Sequence, residues 1–367
     1  MSPRGGRPDE ALFGIVTALV AIGFVMIYSA SAIWADAYFH NSYHYLERQG
    51  IWLVAGWILL MLASRMDYNR LKEWMTPLMV VTAIALAGAL ASRPVAGVHR
   101  WLKIGPLGIE PSEFAKLSFV IYFAYYLDSR HSKLASPVAG LVVPLGVAGV
   151  GLALILKEPD LGTPALIVAT GLLLLYIGGT RLKHILAAMG LLAPGLVYEL
   201  LHVRYRYERL MSFLSPLAHF HGSGYQLSQA WIALGSGGWF GKGLGGSEMK
   251  LLHLPAPFTD FIFPVICEEL GLVGGLALIG LFAAFLARGL KIARAAPDLF
   301  GMLLAAGISL SIALQAFFNI GMSIGLLPTK GIPLPFISFG GSSLLSSLLG
   351  VGILLNISKQ ARAEGLR

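Results

Sequence analysis

Charge is what this sequence lacks first. Only 13% of its 367 residues are Asp, Glu, Lys or Arg; a soluble globular protein carries about 25%. That deficit excludes a chain whose surface mostly meets water. Cysteine is nearly absent as well. The single Cys267 excludes an internal disulfide framework, and in its apolar stretch it reads as a small packing residue. No linker, low-complexity tract or internal repeat divides the chain, so residues 1–367 read as one domain and an inverted-repeat transporter gains no support. What abounds is apolar: 56% of residues are hydrophobic and 44 are glycine, a residue commoner in membrane helices than in soluble ones.

A spanning helix needs about 20 mostly apolar residues, because lipid offers no partner to exposed backbone groups. Such stretches lie near 11–32, 50–64, 75–92, 113–128, 137–156, 163–179, 184–203, 260–287, 300–326 and 342–357, the second and sixth needing flanking residues. The first outruns the roughly 7–15-residue core of a signal peptide and ends in no cleavage pattern, so it reads as a retained span. The predicted fold is an all-α polytopic membrane protein of about ten transmembrane helices, with a long loop, about 204–258, between the seventh and eighth.

Loop cations give the orientation. With both termini in the cytoplasm, every short inner loop holds at least two: Arg65, Arg70 and Lys72; Arg130 and Lys133; Arg181 and Lys183; Arg288, Lys291 and Arg294. The outer cations gather around 93–116, in the long loop, and singly at span ends such as Arg48 and Lys330. Basic residues kept outside against the topological rule suggest an anionic ligand there. Pairing with Glu110, Glu113, Glu158 and Glu208 is the simpler account of any one of them.

The outer segments hold the candidate chemistry. In Pro111-Ser112-Glu113-Phe114-Ala115-Lys116, Ser112 reads as the N-cap of the fourth span and Glu113 sits in its first turn, where the helix dipole favours an anion. Lys116 lies three residues on, on the same face, and either meets a ligand or neutralises Glu113. Pro159 and Gly162 make a tight turn around Asp160, which otherwise caps the sixth span. The long loop contains Gly235-Ser236-Gly237-Gly238-Trp239-Phe240-Gly241-Lys242-Gly243-Leu244-Gly245-Gly246. So many glycines allow close backbone approach to something bulky or charged. The spacing is not that of a Walker loop, yet Lys242 among glycines suits a phosphate.

The loop ends at Thr259-Asp260-Phe261-Ile262-Phe263-Pro264. Thr259 reads as the cap of the eighth span, with Asp260 at its mouth. Pro264 cannot donate to the carbonyl of residue 260 and should kink the helix. Glu268 and Glu269, adjacent in an apolar span, are costly and are expected to bond neighbouring helices rather than do chemistry. The last outer segment, Pro328 to Ser343, is rich in proline, glycine and serine. Irregular backbone at membrane depth needs protein or water to cover it.

Together these motifs resemble the SEDS family (shape, elongation, division and sporulation proteins), whose members include RodA, FtsW and SpoVE. The resemblance rests on Arg100-Trp101 with Pro111 to Lys116, Pro159 to Thr163, Gly235 to Gly238, Thr259 to Phe263 with Glu268-Glu269-Leu270-Gly271, and Leu326 through Ser343. Gly241 to Lys250 and Pro328-Thr329-Lys330-Gly331 are similar to the FtsW type. Ala256-Pro257-Phe258 departs from the family pattern, as does Glu110.

The resemblance implies a peptidoglycan glycosyltransferase of the bacterial cytoplasmic membrane that polymerises glycan strands from lipid II. It implies a class B penicillin-binding protein as partner, with other divisome membrane proteins, and no nucleic acid. Asp260 would be the catalytic base toward the acceptor hydroxyl. Arg48, Arg100, Glu113, Lys116, Asp160, Lys242, Lys330 and Ser338 would line the substrate site, the cations neutralising the leaving pyrophosphate. A divalent cation there, Mg or Mn, has no evident ligand cluster. A lipid II flippase, or a non-catalytic scaffold for the penicillin-binding protein, is the alternative.

Overall fold

The computed structural model describes residues 7–94, 98–104, 107–158, 161–202, 204–215, 222, 224–250 and 257–364. Its helices are α1 (Glu10–Phe39), α2 (His44–Ala63), α3 (Arg70–Ala91), α4 (Pro111–Ser129), α5 (Val143–Leu156), α6 (Gly162–Ile177), α7 (Leu182–His202), α8 (Arg204–Leu214), α9 (Tyr225–Ser236), α10 (Ile262–Ala295), α11 (Leu299–Ser323) and α12 (Gly341–Glu364). Seven helical segments are long and apolar enough to cross a membrane by length and composition: α1, α2, α3, Val138–Leu156, α10, α11 and the Gly341–Ala361 part of α12. α4, α6 and α7 occupy the other expected spans. α6 is short at 16 residues, and α4 carries Glu113, Lys116 and Asp128 along its length.

Local sequence sets the helix starts. Asp9 caps α1, its carboxylate accepting from the Leu12 amide at 2.8 Å, and Asp298 caps α11 through the Gly301 amide at 2.7 Å, each satisfying an orphan donor of the first turn. Ser112 is not the cap of α4. Pro111 takes the first helical position, where its missing N–H costs nothing, so Glu110 is the N-cap residue. Thr259 caps nothing either: α10 begins at Ile262 after Phe261. Pro264 therefore falls in the first turn, where no amide partner is needed, and it does not kink the helix. The break in α10 is at Gly271, with φ 73° and ψ −174°.

α12 and α11 form the buried centre, with α2, α4, α10 and α1 packed around them. Close backbone approach between α2 and α12 needs glycine: a Cβ on Gly352 would meet the Leu60 carbonyl at 2.5 Å, the small-residue packing usual between membrane helices. On the far side, Val80, Val81 and Ile84 of α3 are exposed, as lipid-facing residues are.

The loops read from the sequence as outer hold more structure than the sequence suggested. Leu102–Ile104 and Leu107–Ile109 pair as an antiparallel hairpin, Leu102 opposite Ile109. The expected structureless loop 204–258 contains α8 and α9.

Candidate active site

Asp260 sits where two irregular segments meet one face of α11. The Nδ2 of Asn319, on α11, donates to the Asp260 carbonyl at 2.8 Å and to the Ile332 carbonyl at 2.7 Å. The expected proline-freed carbonyl is thus taken up by a buried amide rather than left for a ligand. Ser338 joins the same segments: its hydroxyl donates to the Thr259 carbonyl at 2.6 Å and accepts from the Leu334 amide at 2.8 Å. The Phe339 amide donates to the Phe258 carbonyl at 2.9 Å. The segment on either side of Asp260 is therefore fixed by main-chain bonds, and Ser338 acts as its joint. A Cβ on Gly331 would lie 3.2 Å from the Asp260 Oδ2, so Gly331 flanks the carboxylate.

One turn deeper on α11, Gln315 repeats the arrangement. Its Nε2 donates to the Pro333 carbonyl at 2.9 Å and to the Ser343 hydroxyl at 3.3 Å. Its Oε1 accepts from the Lys116 ammonium at 2.5 Å, and Lys116 also donates to Glu113 at 2.8 Å. Glu113 and Lys116 are both buried, and a buried pair holds only when further hydrogen bonds complete it. Beneath them is a cavity of about 30 Å³ lined by Lys116, Gln315, Ser346 and Ser347 among others, large enough for a water. Lys116 and Asp260 are thus tied to successive residues of one irregular segment, Pro333 and Ile332, by amides four residues apart on one helix face. The sequence reading missed Gln315 and Asn319. Two carboxamides at i, i+4 inside the apolar span 300–326 were the available signal.

The glycine-rich run makes the close backbone approach expected of it, to a helix. At the Gly271 break the Leu272 amide donates to the Gly238 carbonyl at 2.9 Å and the Val273 amide to the Trp239 carbonyl at 3.2 Å, while the Lys242 and Gly243 amides donate to the Glu268 and Glu269 carbonyls at 2.9 and 3.0 Å. The loop replaces the missing rungs of α10. The closely approached object is the helix backbone itself: a Cβ on Gly241 would meet the Glu269 carbonyl at 2.1 Å. The Lys242 ammonium pairs with Glu268 at 2.9 Å and Glu248 at 3.1 Å, and the hydrogen bond it donates to Glu268 raises its pKa. Lys242 is a pin for this loop. Glu268 also accepts from Ser236, Ser247 and the amides of Glu248 and Met249. Glu269 pairs with the buried Lys250 at 2.9 Å and with Ser29 of α1 at 2.7 Å. Glu269 bonds a neighbouring helix, α1, as expected, whereas Glu268 binds a loop rather than a helix.

The remaining candidates lie apart. Arg48 is exposed near the outer end of α2. Arg100 donates from Nε to the Glu158 carbonyl at 3.0 Å, tying the hairpin loop to the turn before α6. Asp160 lies outside the described residues. Among the described residues no three His, Cys, Asp or Glu side chains converge to hold a metal ion.

Comparison with known proteins decides the family. Residues 9–363 match the FtsW, RodA and SpoVE family, described as "Cell cycle protein". The chain belongs to this family. It is 40% identical to the probable peptidoglycan glycosyltransferase FtsW of Trichlorobacter lovleyi, over 95% of this chain and 93% of that protein. It is 40% identical to the stage V sporulation protein E of Bacillus subtilis, over 99% of this chain and 100% of that one. Its fold matches a chain from a solved peptidoglycan synthase complex that coordinates polymerization and crosslinking, with TM-score 0.79 and 28% identity over 97% of this chain and 98% of that chain. As in other members of the FtsW, RodA and SpoVE family, the bundle is helical and multi-pass.

Proposed function

We propose that this protein is a peptidoglycan glycosyltransferase that polymerises glycan strands from lipid II at the outer face of the bacterial cytoplasmic membrane during septal synthesis. Its chain crosses the membrane about ten times, with both termini in the cytoplasm. The observation that carries the reading is Asp260, a carboxylate at the mouth of a spanning helix, its main chain held by Asn319, in a chain similar along its length to a probable glycosyltransferase. The lipid moiety of the substrate requires a membrane site. The acceptor sugar hydroxyl requires a base, which Asp260 supplies by taking its proton as the oxygen attacks the donor sugar.

The leaving pyrophosphate requires cations positioned before the reaction. Lys330, next in sequence to Gly331, Lys116 behind the Ile332–Pro333 segment, and Arg48 and Arg100 would supply them. Glu113 sets the Lys116 ammonium in place, Ser338 fixes the turn, and Asp160 is a further substrate-binding residue. Lys242 contributes by pinning the loop. A class B penicillin-binding protein and other divisome membrane proteins are its partners.

The test is polymerisation of purified lipid II by Asp260→Asn. The substitution keeps shape and removes basicity, so the rate should fall about 10²–10⁴-fold, while expression and partner binding persist. Undiminished polymer would overturn the assignment of Asp260. Absence of polymer from the wild type, with lipid II moved between leaflets instead, would make the protein a flippase. Neither polymer nor transport would leave it a scaffold.

A further inference from the structure

α1 is longer than a bilayer requires. Its 30 residues extend about 45 Å, whereas the hydrocarbon is about 30 Å thick. The inner end is fixed where Asp9 pairs with Arg288 at 2.8 Å. About 20 residues onward the helix reaches Ser29, at the level of the buried Glu269–Lys250 pair. Tyr28 stacks on Tyr43 at this height, ring centroids 5.3 Å apart, as aromatic residues do at a membrane surface. Trp34, Tyr38 and Phe39 stand beyond it, clear of the lipid tails.

These outer rings make a shelf. Trp34 stacks on Tyr38 at 4.9 Å, and Phe39 on His44 at 3.9 Å with the planes 7° apart. Tyr38 is 64% exposed and Phe39 49%. From Phe39 the ring contacts run to Tyr45 at 5.9 Å, then from Tyr45 to Phe258 at 4.3 Å and Phe339 at 5.2 Å. Phe258 lies two residues before Asp260, on the segment that Phe339 and Ser338 hold. A series of ring contacts therefore leads from Phe39 to Phe258, two residues before the candidate base.

Flat exposed rings outside the lipid suit a ligand with flat apolar faces and polar edges. Pyranose sugars have this shape: their C–H faces lie against aromatic rings and their hydroxyls project sideways. A polymerase must also conduct its product away from the reacting end along its own outer surface. We propose that the Trp34–Tyr38–Phe39–His44 shelf binds the growing glycan strand, holding sugar units already joined. This inference rests on the glycosyltransferase reading above.

Strand length tests it. The full chain with its penicillin-binding partner, in lipid nanodiscs, is given lipid II, and the length of polymer is compared between wild type and Tyr38→Ser/Phe39→Ser. The shelf variant should consume lipid II at the wild-type initial rate and yield strands about two- to ten-fold shorter, the scale set by loss of aromatic contacts. Tyr38→Phe/Phe39→Tyr keeps the rings and should keep the length. Unchanged lengths in the serine variant would overturn the shelf; no polymer from the wild type would overturn the glycosyltransferase reading instead.

A second measurement separates other occupants. Phe39→Cys in a Cys267→Ala background should react with a charged maleimide before synthesis and be shielded once polymer accumulates. No reaction before synthesis would place the ring in lipid. Shielding by the partner alone would make the shelf a protein interface, and a thiol left open by polymer would show that no strand lies there. Each of these three results overturns the proposal.

Discussion

Asn319 holds Asp260 by its main-chain carbonyl, at 2.8 Å from Nδ2, while the second hydrogen of the same amide reaches the Ile332 carbonyl at 2.7 Å. One buried side chain thereby sets the spacing of the two segments that flank the carboxylate. Asn319→Leu preserves volume and leaves two carbonyls unsatisfied, at about 1–3 kcal/mol each. If Asp260 is the base, a small displacement is expensive, since misplacement of about 1 Å can cost 10²-fold. Asn319→Leu should therefore lower kcat much more than it raises KM for lipid II. An equal loss in a shape-matched control such as Ile320→Leu would assign the effect to general packing.

Much of the bundle was legible because spanning helices announce themselves by length and apolarity. The predicted 300–326 is α11 at Leu299–Ser323, and 342–357 is α12 at Gly341–Glu364. Asp260 was legible as a carboxylate at a helix mouth. What holds it was not. The grip of Asn319 and Gln315 on the Ile332–Pro333 segment is long-range in sequence, and propensity carries no information about such contacts. What the glycine run approaches was not legible for the same reason. Glycine signals close backbone approach without naming what approaches, and here it is the broken step of α10. The capping assignments at Ser112 and Thr259 failed because Pro111 and Phe261 move the helix starts by a residue or two, the usual uncertainty of helix ends.

Topology is open to direct measurement. The residue at position 222 and the 93–112 hairpin loop should face outward, with the termini inside. In a Cys267→Ala background, Gly222→Cys should react with a membrane-impermeant thiol reagent added outside to intact cells. Reaction only after the cytoplasmic side is opened would reverse the orientation.

Lys116 tests whether a buried cation has two jobs. Lys116→Met leaves Glu113 without its 2.8 Å partner, and breaking a buried pair costs about 3–5 kcal/mol. The protein should melt lower in detergent. Adding Glu113→Gln removes the stranded charge and should restore most of the melting temperature. If Lys116 also serves the pyrophosphate, the double variant should fold yet polymerise slowly. Full activity in the restored double variant would confine Lys116 to a structural role.

The break in α10 makes the sharpest structural prediction. Gly271 adopts φ 73°, a backbone state that residues with a Cβ rarely hold. A Cβ there would sit 2.3 Å from the Trp239 carbonyl and 2.5 Å from the Gly241 amide nitrogen, and neither backbone can yield without releasing the loop. Gly271→Ala should therefore cost about 2–5 kcal/mol from strain and overpacking combined. The damage should be local. The Lys242 and Gly243 amides lose the Glu268 and Glu269 carbonyls, the 236–250 loop lifts, and trypsin gains access to Lys242 and Lys250. Gly280→Ala is the control, because nothing lies within 4 Å of a Cβ at that position and a mid-helix alanine is favoured over glycine. Limited proteolysis of the two variants in nanodiscs decides the matter: equal cleavage after Lys242 in both would mean that the loop does not depend on the helix break.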